Sequence, residues 1–461
     1  MEKTSLPNSI LSEYAGERRT AAADRIAMDR SLLWGVSDHQ ERGGKRFADR
    51  YVGLANDAAH ASERGVWQYF RQHRRLIGRQ VEVQDEHGRV WRGINGASQD
   101  YLGLATHPLV VNGAKAAIET HGVHSSGSAP MGGGMTLASV VEWKIATATG
   151  LEHVCLFPTG WAAGYGIIYG LVRRRDHVVI DSLAHNCLQH GAAAATPNVH
   201  QFMHNDFSSL RRKLERIRRK DVDGAILIVT EGLFSMDSDT PDFEAIIRLK
   251  EEFDAHLLVD VAHDFGCLGP GGKGALAETA PYSEVDYVIG SFSKTFASIG
   301  GFLATNCLAS KRAIQGYSGS YTFSNYLIPS QLGAIDAALD IVFSEEGDAL
   351  RKKLVSNTAF LRDCLSQSGV STIGRVSAMT IVPAGSQGVA RLAYKYLMEK
   401  GVIVNCVEFP AVRKGEARFR IQLTPHHSPG EIETIAEGVA AGLQWARRQI
   451  ESVGLRSTAG D

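Results

Sequence analysis

The chain has 461 residues, 44% of them hydrophobic and 21% charged, with a formal net charge of −1 at neutral pH. This is the balance of an ordinary soluble globular protein long enough for two packed domains, and it argues against nucleic acid or an anionic membrane as partner. The six cysteines (155, 187, 267, 307, 364 and 406) include no CxxC pair, which argues against a zinc site or disulfide framework and for a reducing, cytoplasmic setting.

The first twenty residues mix charges throughout and lack an apolar core, so no secretory signal is expected. Apolar runs all break well before ~18 residues, so no membrane span is expected either. Residues 1–95 read as an N-terminal extension, mostly helical, whose last part, VEVQDEHGRVWRGING (81–96), is a hairpin around His87-Gly88. From 96 to 328 short β-branched runs such as HVVIDS, GAILIVTEG, AHLLVDVAH and DYVIGSFS alternate with helical segments such as SLRRKLERIRRK and FEAIIRLKEEF. Near-continuous apolar strands of this kind predict a mainly parallel sheet covered on both faces. From 329 to 461 a long helix through QLGAIDAALDIVF leads into a smaller α+β unit with strands in SAMTIVPA, GVIVNCVEF and ARFRIQLT. Its closing helix has Ser428 as cap and Pro429 in the first turn.

In an open α/β sheet, ligands sit beyond the carboxyl ends of the strands. Asp181 and His185 follow HVVI, Glu231 and Ser235 follow AILIVT, Asp260 ends HLLVD with His263 three residues on, and Lys294 follows YVIGSFS. Singly, each reads as a satisfied polar group in a loop. Jointly, they set acids, imidazoles, hydroxyls and one amine at four strand ends, a set that a carbonyl cofactor explains. A lysine amine forms a Schiff base with pyridoxal phosphate (PLP). Asp260, 34 positions before Lys294 (294 − 260), suits the carboxylate that keeps the pyridinium nitrogen protonated. FPTGWAAG (157–164) opens a helix after a strand, so the amides of Gly160 and Trp161 can meet a phosphate at the positive helix end, with Ser291 and Ser293 adding hydroxyls. The histidine pairs 121/124, 200/204 and 426/427 lack a carboxylate or cysteine to complete a metal constellation, and no metal is expected.

Eight motifs in order resemble the α-oxoamine synthases: DYLGLA, PTGWAAG, DSLAHNCLQHG, FMHND, TEGLFSMDSD, LLVDVAHDFGCLGPGGKG, GSFSKTFASIGG and ARFRIQLTPHHS. These are fold-type I PLP enzymes and include serine palmitoyltransferase, 8-amino-7-oxononanoate synthase and the autoinducer synthases. The resemblance implies an α/β fold, with a large PLP-binding domain (96–328) and a smaller C-terminal α+β domain (329–461). It implies that Lys294 holds the cofactor and then acts as base at Cα. Asp260 would pair with the ring nitrogen, His263 would bond the phenolic oxygen, and His185 would stack on the ring. Glu231 and Ser235 would lie near the cofactor, while Gly160, Trp161, Ser291 and Ser293 would hold its phosphate. Arg420, the second arginine of RFR, would grip the substrate carboxylate, with Asp100 and Tyr101 on the substrate side. The implied reaction is decarboxylative condensation of serine, alanine or glycine with an acyl thioester of coenzyme A or a carrier protein. Its products are an α-amino ketone, carbon dioxide and free thiol. A homodimer with active sites at the subunit interface is implied as well.

The chain departs from the family at Asp100, where asparagine is common, and at Gly164, Ala129, Ala138 and Ser324-Asn325. Glu408 stands where some members carry an arginine near the substrate entrance. These changes leave the amino acid and the acyl donor open. An aminotransferase, aldolase or lyase could use the same lysine, aspartate and arginine. A noncatalytic partner subunit is a further alternative, although such subunits lack the lysine that stands here at 294.

Overall fold

A computed structural model describes residues 31–452 except positions 41 and 76. The chain builds two sheets. Helix α1 (Phe47–Glu63) precedes strands β1 (Gln72–His73), β2 (Gln80–Gln84) and β3 (Val90–Gly96). After two helices the alternation begins: β4 (His153–Phe157), α2 (Gly160–Leu171), β5 (His177–Asp181), α3 (Asn186–Ala195), β6 (Val199–Phe202), β7 (Ile226–Glu231), β8 (His256–Asp260), β9 (Tyr287–Ser291) and β10 (Gly301–Thr305). Helices α4 (Pro329–Val342) and α5 (Glu345–Gln367) lead to β11 (Met379–Gly385), α6 (Gln387–Glu399), β12 (Val402–Val407), β13 (Ala417–Gln422) and α7 (Pro429–Ser452).

The larger sheet has the order β4-β10-β9-β8-β7-β5-β6. Strand β10 runs antiparallel to both neighbours, and the other pairs are parallel. Alternation along each strand serves two cores. Ile226 and Ile228 pack on one face with Leu257, Val259 and Val288. Leu227 and Val229 pack on the other with Leu258, Ile289 and Leu303. Covering helices on both faces is what makes these strands apolar throughout. The core residues Ile228, Val229, Leu258 and Val259 have no exposed surface, and each such side chain contributes roughly 1.5–3 kcal/mol by its removal from water.

The smaller sheet has the order β1-β2-β3-β12-β13-β11, with β3 parallel to β12. Residues read as an N-terminal extension therefore supply three of its strands. The hairpin expected around His87-Gly88 forms, pairing Val81 with Gly93 and Val83 with Trp91. Leu32, Trp34, Trp67, Val81 and Val83 bury their side chains with those of α5, α6 and α7 in one core. Helix α7 opens as its sequence predicts: Ser428 Oγ accepts from the Glu431 amide, and the Glu431 carboxylate accepts from the Ser428 amide at 2.9 Å.

Candidate active site

Strand register brings the site together. Glu231 pairs with Asp260 across β7 and β8, Asp260 with Ile289 across β8 and β9, and Ser291 with Gly301 across β9 and β10. The carboxyl ends of the parallel strands open on one side, where the N-termini of α2 and α3 also lie. A cavity of about 250 Å³ sits there. Gly160, Trp161, His185, Glu231 and Asp260 line it, as do His263, Ser291, Ser293 and Lys294. Ser235 stands half-buried in the turn after β7 and is not among the lining residues.

The anion end is built from α2. Thr159 caps the helix by accepting from the Ala162 amide at 2.9 Å, and Gly160 and Trp161 form its first two positions at the cavity. Ser291 and Ser293 stand opposite with their hydroxyls 2.7 Å apart. A Cβ at position 160 would lie 2.5 Å from Ser291 Oγ, so only glycine lets helix and serine approach this closely. Amides at a helix start with two hydroxyls beside them form a cradle of phosphate chemistry.

Lys294, the residue after Ser293, is half-buried and lines the same cavity. Burial lowers its ammonium pKa, with Asp260 and Glu231 pulling the other way. Asp260 is buried, and its Oδ1 accepts from the Ala262 amide at 2.9 Å. Burial pushes both acids upward, Glu231 furthest because the Asp260 charge adds to it. Glu231 Oε1 accepts the His185 amide at 2.6 Å. His263 is buried, with Nδ1 2.8 Å from the Tyr101 hydroxyl. Burial, reinforced by the Lys294 and Arg420 charges, drives His263 well below its usual range and keeps it neutral. His185 is lowered in the same way, and its Nδ1 accepts the Cys187 amide at 3.3 Å as the cap of α3.

Arg420 on β13 is buried, its pKa is lowered by that burial, and its Nε has no hydrogen-bond partner. A desolvated guanidinium with an unsatisfied N–H is matched to a carboxylate. Its charge is felt at Lys294, His185 and His263.

Asp100 and Tyr101, the two residues read as substrate-facing, also have partners within the protein. The Asp100 carboxylate accepts the amides of Leu104 (2.8 Å) and Ala105 (2.9 Å), closing the turn that carries Tyr101. Tyr101 itself is fully buried and supports His263. Glu408, read as near the substrate entrance, is buried just past the end of β12 in the smaller sheet. There its two oxygens accept from Arg391 at 2.6 and 2.9 Å. Among the histidines, His204 joins Asp181 (3.0 Å) to Asp239 (2.9 Å). Burial opposes its cation, but the two carboxylates outweigh burial and raise it to about 10. Among the described residues no cluster of three or more His, Cys, Asp or Glu is arranged to hold a metal.

Sequence reasoning missed Cys187, whose sulfur lines the cavity 3.0 Å from His185 Nδ1. Its place two residues past the capping His185 was the available signal. It also took Trp161 only for its amide. The indole is 46% exposed and stacks on Tyr165, which stacks on Tyr169, at centroid distances of 5.3 and 5.8 Å.

The donor set fits PLP: an amine, a buried acid on a strand end behind it, and an amide-and-hydroxyl cradle for phosphate. Comparison with known proteins agrees. The family model "Aminotransferase class I and II" matches residues 93–439. An 8-amino-7-oxononanoate synthase of Geobacter sulfurreducens is 35% identical over 345 residues, covering 74% of this chain and 87% of that one. Its counterpart in Geotalea daltonii is 36% identical over 348 residues, covering 74% and 86%. Serine palmitoyltransferase of Sphingomonas wittichii superposes with a TM-score of 0.79 at 24% identity, over 89% of this chain and 99% of that one. A structure of 8-amino-7-oxononanoate synthase from Francisella tularensis superposes at 0.64 with 20% identity, over 77% and 98%. These two structural likenesses are likenesses of fold.

Proposed function

The chain belongs to the aminotransferase class I and II family and, within it, to the α-oxoamine synthases, and from that premise we propose that it condenses a small amino acid with an acyl thioester. It is a PLP-dependent acyl-transferring enzyme. The proposed products are an α-amino ketone, carbon dioxide and free thiol. Serine, alanine and glycine are the amino acids that suit the reading, and the thioester is one of coenzyme A or a carrier protein.

One observation carries it: Lys294 and Asp260 line one cavity, and a buried Arg420 with an unpartnered Nε lies near enough for its charge to act on Lys294. PLP bound there supplies an electron-withdrawing ring that stabilises negative charge at the substrate Cα. Asp260 would hold a proton on the ring nitrogen. Gly160, Trp161, Ser291 and Ser293 would hold the phosphate. Arg420 would grip the substrate carboxylate and so fix how the substrate is oriented in the cavity. Burial keeps the Lys294 amine from holding its proton too tightly, which suits a group that takes a proton from Cα and returns one. His263, neutral and held by Tyr101, would bond the ring's phenolic oxygen.

A homodimer belongs to this reading. Exposed Trp161, Met131 and Phe323 offer apolar surface, and the loops of the last two are tied by a bridge between Ser128 and Asn325. A cytoplasmic location belongs to it too. No helix among the described residues is long and apolar enough to cross a membrane, and all six cysteines are free thiols.

The test is incubation of the PLP-loaded protein with each small amino acid against a panel of acyl thioesters. Free thiol, carbon dioxide and an amino ketone by mass are expected. A keto acid in place of carbon dioxide and thiol would assign transamination instead.

A further inference from the structure

We propose that Cys187 is a positioning residue: its thiol holds His185 as the neutral imidazole with the hydrogen on Nε2, so that His185 meets the reacting molecule as a hydrogen-bond donor and not as a base. The inference rests on the PLP-dependent reading of the cavity that both residues line.

The argument begins at the cap of α3. His185 Nδ1 accepts the backbone N–H of Cys187 at 3.3 Å. A ring nitrogen that faces an amide hydrogen presents its lone pair there. The same Nδ1 lies 3.0 Å from Cys187 Sγ, so the thiol must be the donor of that contact. Burial raises the thiol above its usual range, and the charges of Asp260 and Glu231 add to this, so the S–H persists at neutral pH. With Nδ1 taken twice on the helix side, the ring hydrogen sits on Nε2, at the far edge of the ring.

Two further contacts fix the pair. The His185 amide donates to Glu231 Oε1 at 2.6 Å, which locks the backbone that carries the ring. The sulfur occupies space that only glycine at 164 leaves open, since a Cβ there would stand 2.4 Å from Sγ. Gly164, a departure from the family pattern, is thus the residue that makes room for the thiol. Charging His185 would mean adding a proton at Nδ1, against both donors. Burial opposes that cation most, Lys294 and Arg420 oppose it as well, and Asp260 alone of these favours it.

The first measurement is the nitrogen NMR spectrum of the ¹⁵N-histidine-labelled apoprotein, with His185 assigned from H185N. An unprotonated Nδ1 and a protonated Nε2 are expected across neutral pH, together with a hydrogen-bonded S–H stretch in the infrared that C187A removes. C187A should raise the His185 protonation midpoint by about half a unit to one unit, the worth of one lost hydrogen bond, and C187S should restore it. In the holoenzyme the acid limb of the kcat profile should move the same way, with KM for the amino acid little changed. Hydrogen on Nδ1 in the wild-type protein, or a C187A midpoint equal to the wild-type value, overturns the proposal. The wild-type tautomer needs no variant to fold. Because it is read without cofactor, absence of a condensation product would overturn the function and leave this assignment standing.

Discussion

Glu231 and Asp260 end neighbouring parallel strands in register, so two buried carboxyl groups share one strand-end step beneath Lys294. Two such acids cannot both ionise freely. Burial raises both, and Glu231 rises further because the Asp260 charge adds to its burial, while the charges of Lys294 and His185 hold Asp260 down. The acids divide the labour: Asp260 carries the charge and Glu231 stays a neutral acceptor. D260N should therefore lower turnover on the order of 10³-fold. E231Q keeps the acceptor oxygen and should cost less than about tenfold. Equal losses in the two variants would refute the division.

Glu231 also has a pH signature. Its folded pKa lies above the unfolded value, so its contribution is complete below the ordinary carboxylate range and is lost as pH rises through the folded pKa. Thermal melts of apoprotein should show wild type losing stability across that upper window while E231Q loses less.

Arg420 is predicted to act in binding and in orientation. R420A should lower kcat/KM for the amino acid by about 10²–10³-fold, and R420K should recover little, because an ammonium cannot offer the paired N–H donors of a guanidinium. Steady-state kinetics with the amino acid varied decide this. Wild-type KM in R420A would remove the arginine from the carboxylate.

His204 is a structural cation. Its folded pKa is raised to about 10 by Asp181 and Asp239 against the cost of burial. The stabilisation is thus complete below about 6.5, the ordinary histidine value, and fades as pH climbs toward about 10. H204Q should cost about 3 kcal/mol in urea unfolding at pH near 6, and the gap to wild type should close in alkaline buffer. A gap independent of pH would mean that packing, not charge, is what His204 supplies.

Arg391 and Glu408 form a fully buried pair, and Arg391 also donates to the Ser31 carbonyl at 2.8 Å. E408Q should destabilise the protein by about 3–5 kcal/mol, since it strands a buried guanidinium. R391M/E408L should recover most of that loss. Denaturant titration of the three proteins tests the pair, and a double variant no better than E408Q would contradict it.

Much of the large domain was legible because its signals are local. A short, near-continuous apolar run such as ILIV bounded by turn residues reads as a strand covered on both faces, and a polar residue closing such a run stands at the strand's end. Lys294, Asp260, Glu231 and His185 were found by that rule, and the cavity does gather them. The partners of Asp100 and Glu408 were not foreseen, because the reading from motifs assigned each carboxylate to the substrate side without asking which N–H groups it could reach. Asp100 turned to the amides of its own loop, and Glu408 to an arginine on α6.

By itself, then, the order of residues determined the repeating strand–helix alternation, the ends of those strands and the chemistry available there, since period and punctuation are properties of short segments. Only the tertiary structure decided that β3 would lie beside β12, where the Asn405 side chain reaches the Ala97 carbonyl 308 positions away. It alone brought Arg420 to Lys294 and set a thiol against His185. Such pairings are chosen by which faces can be buried together, and burial is a property of the whole packed chain.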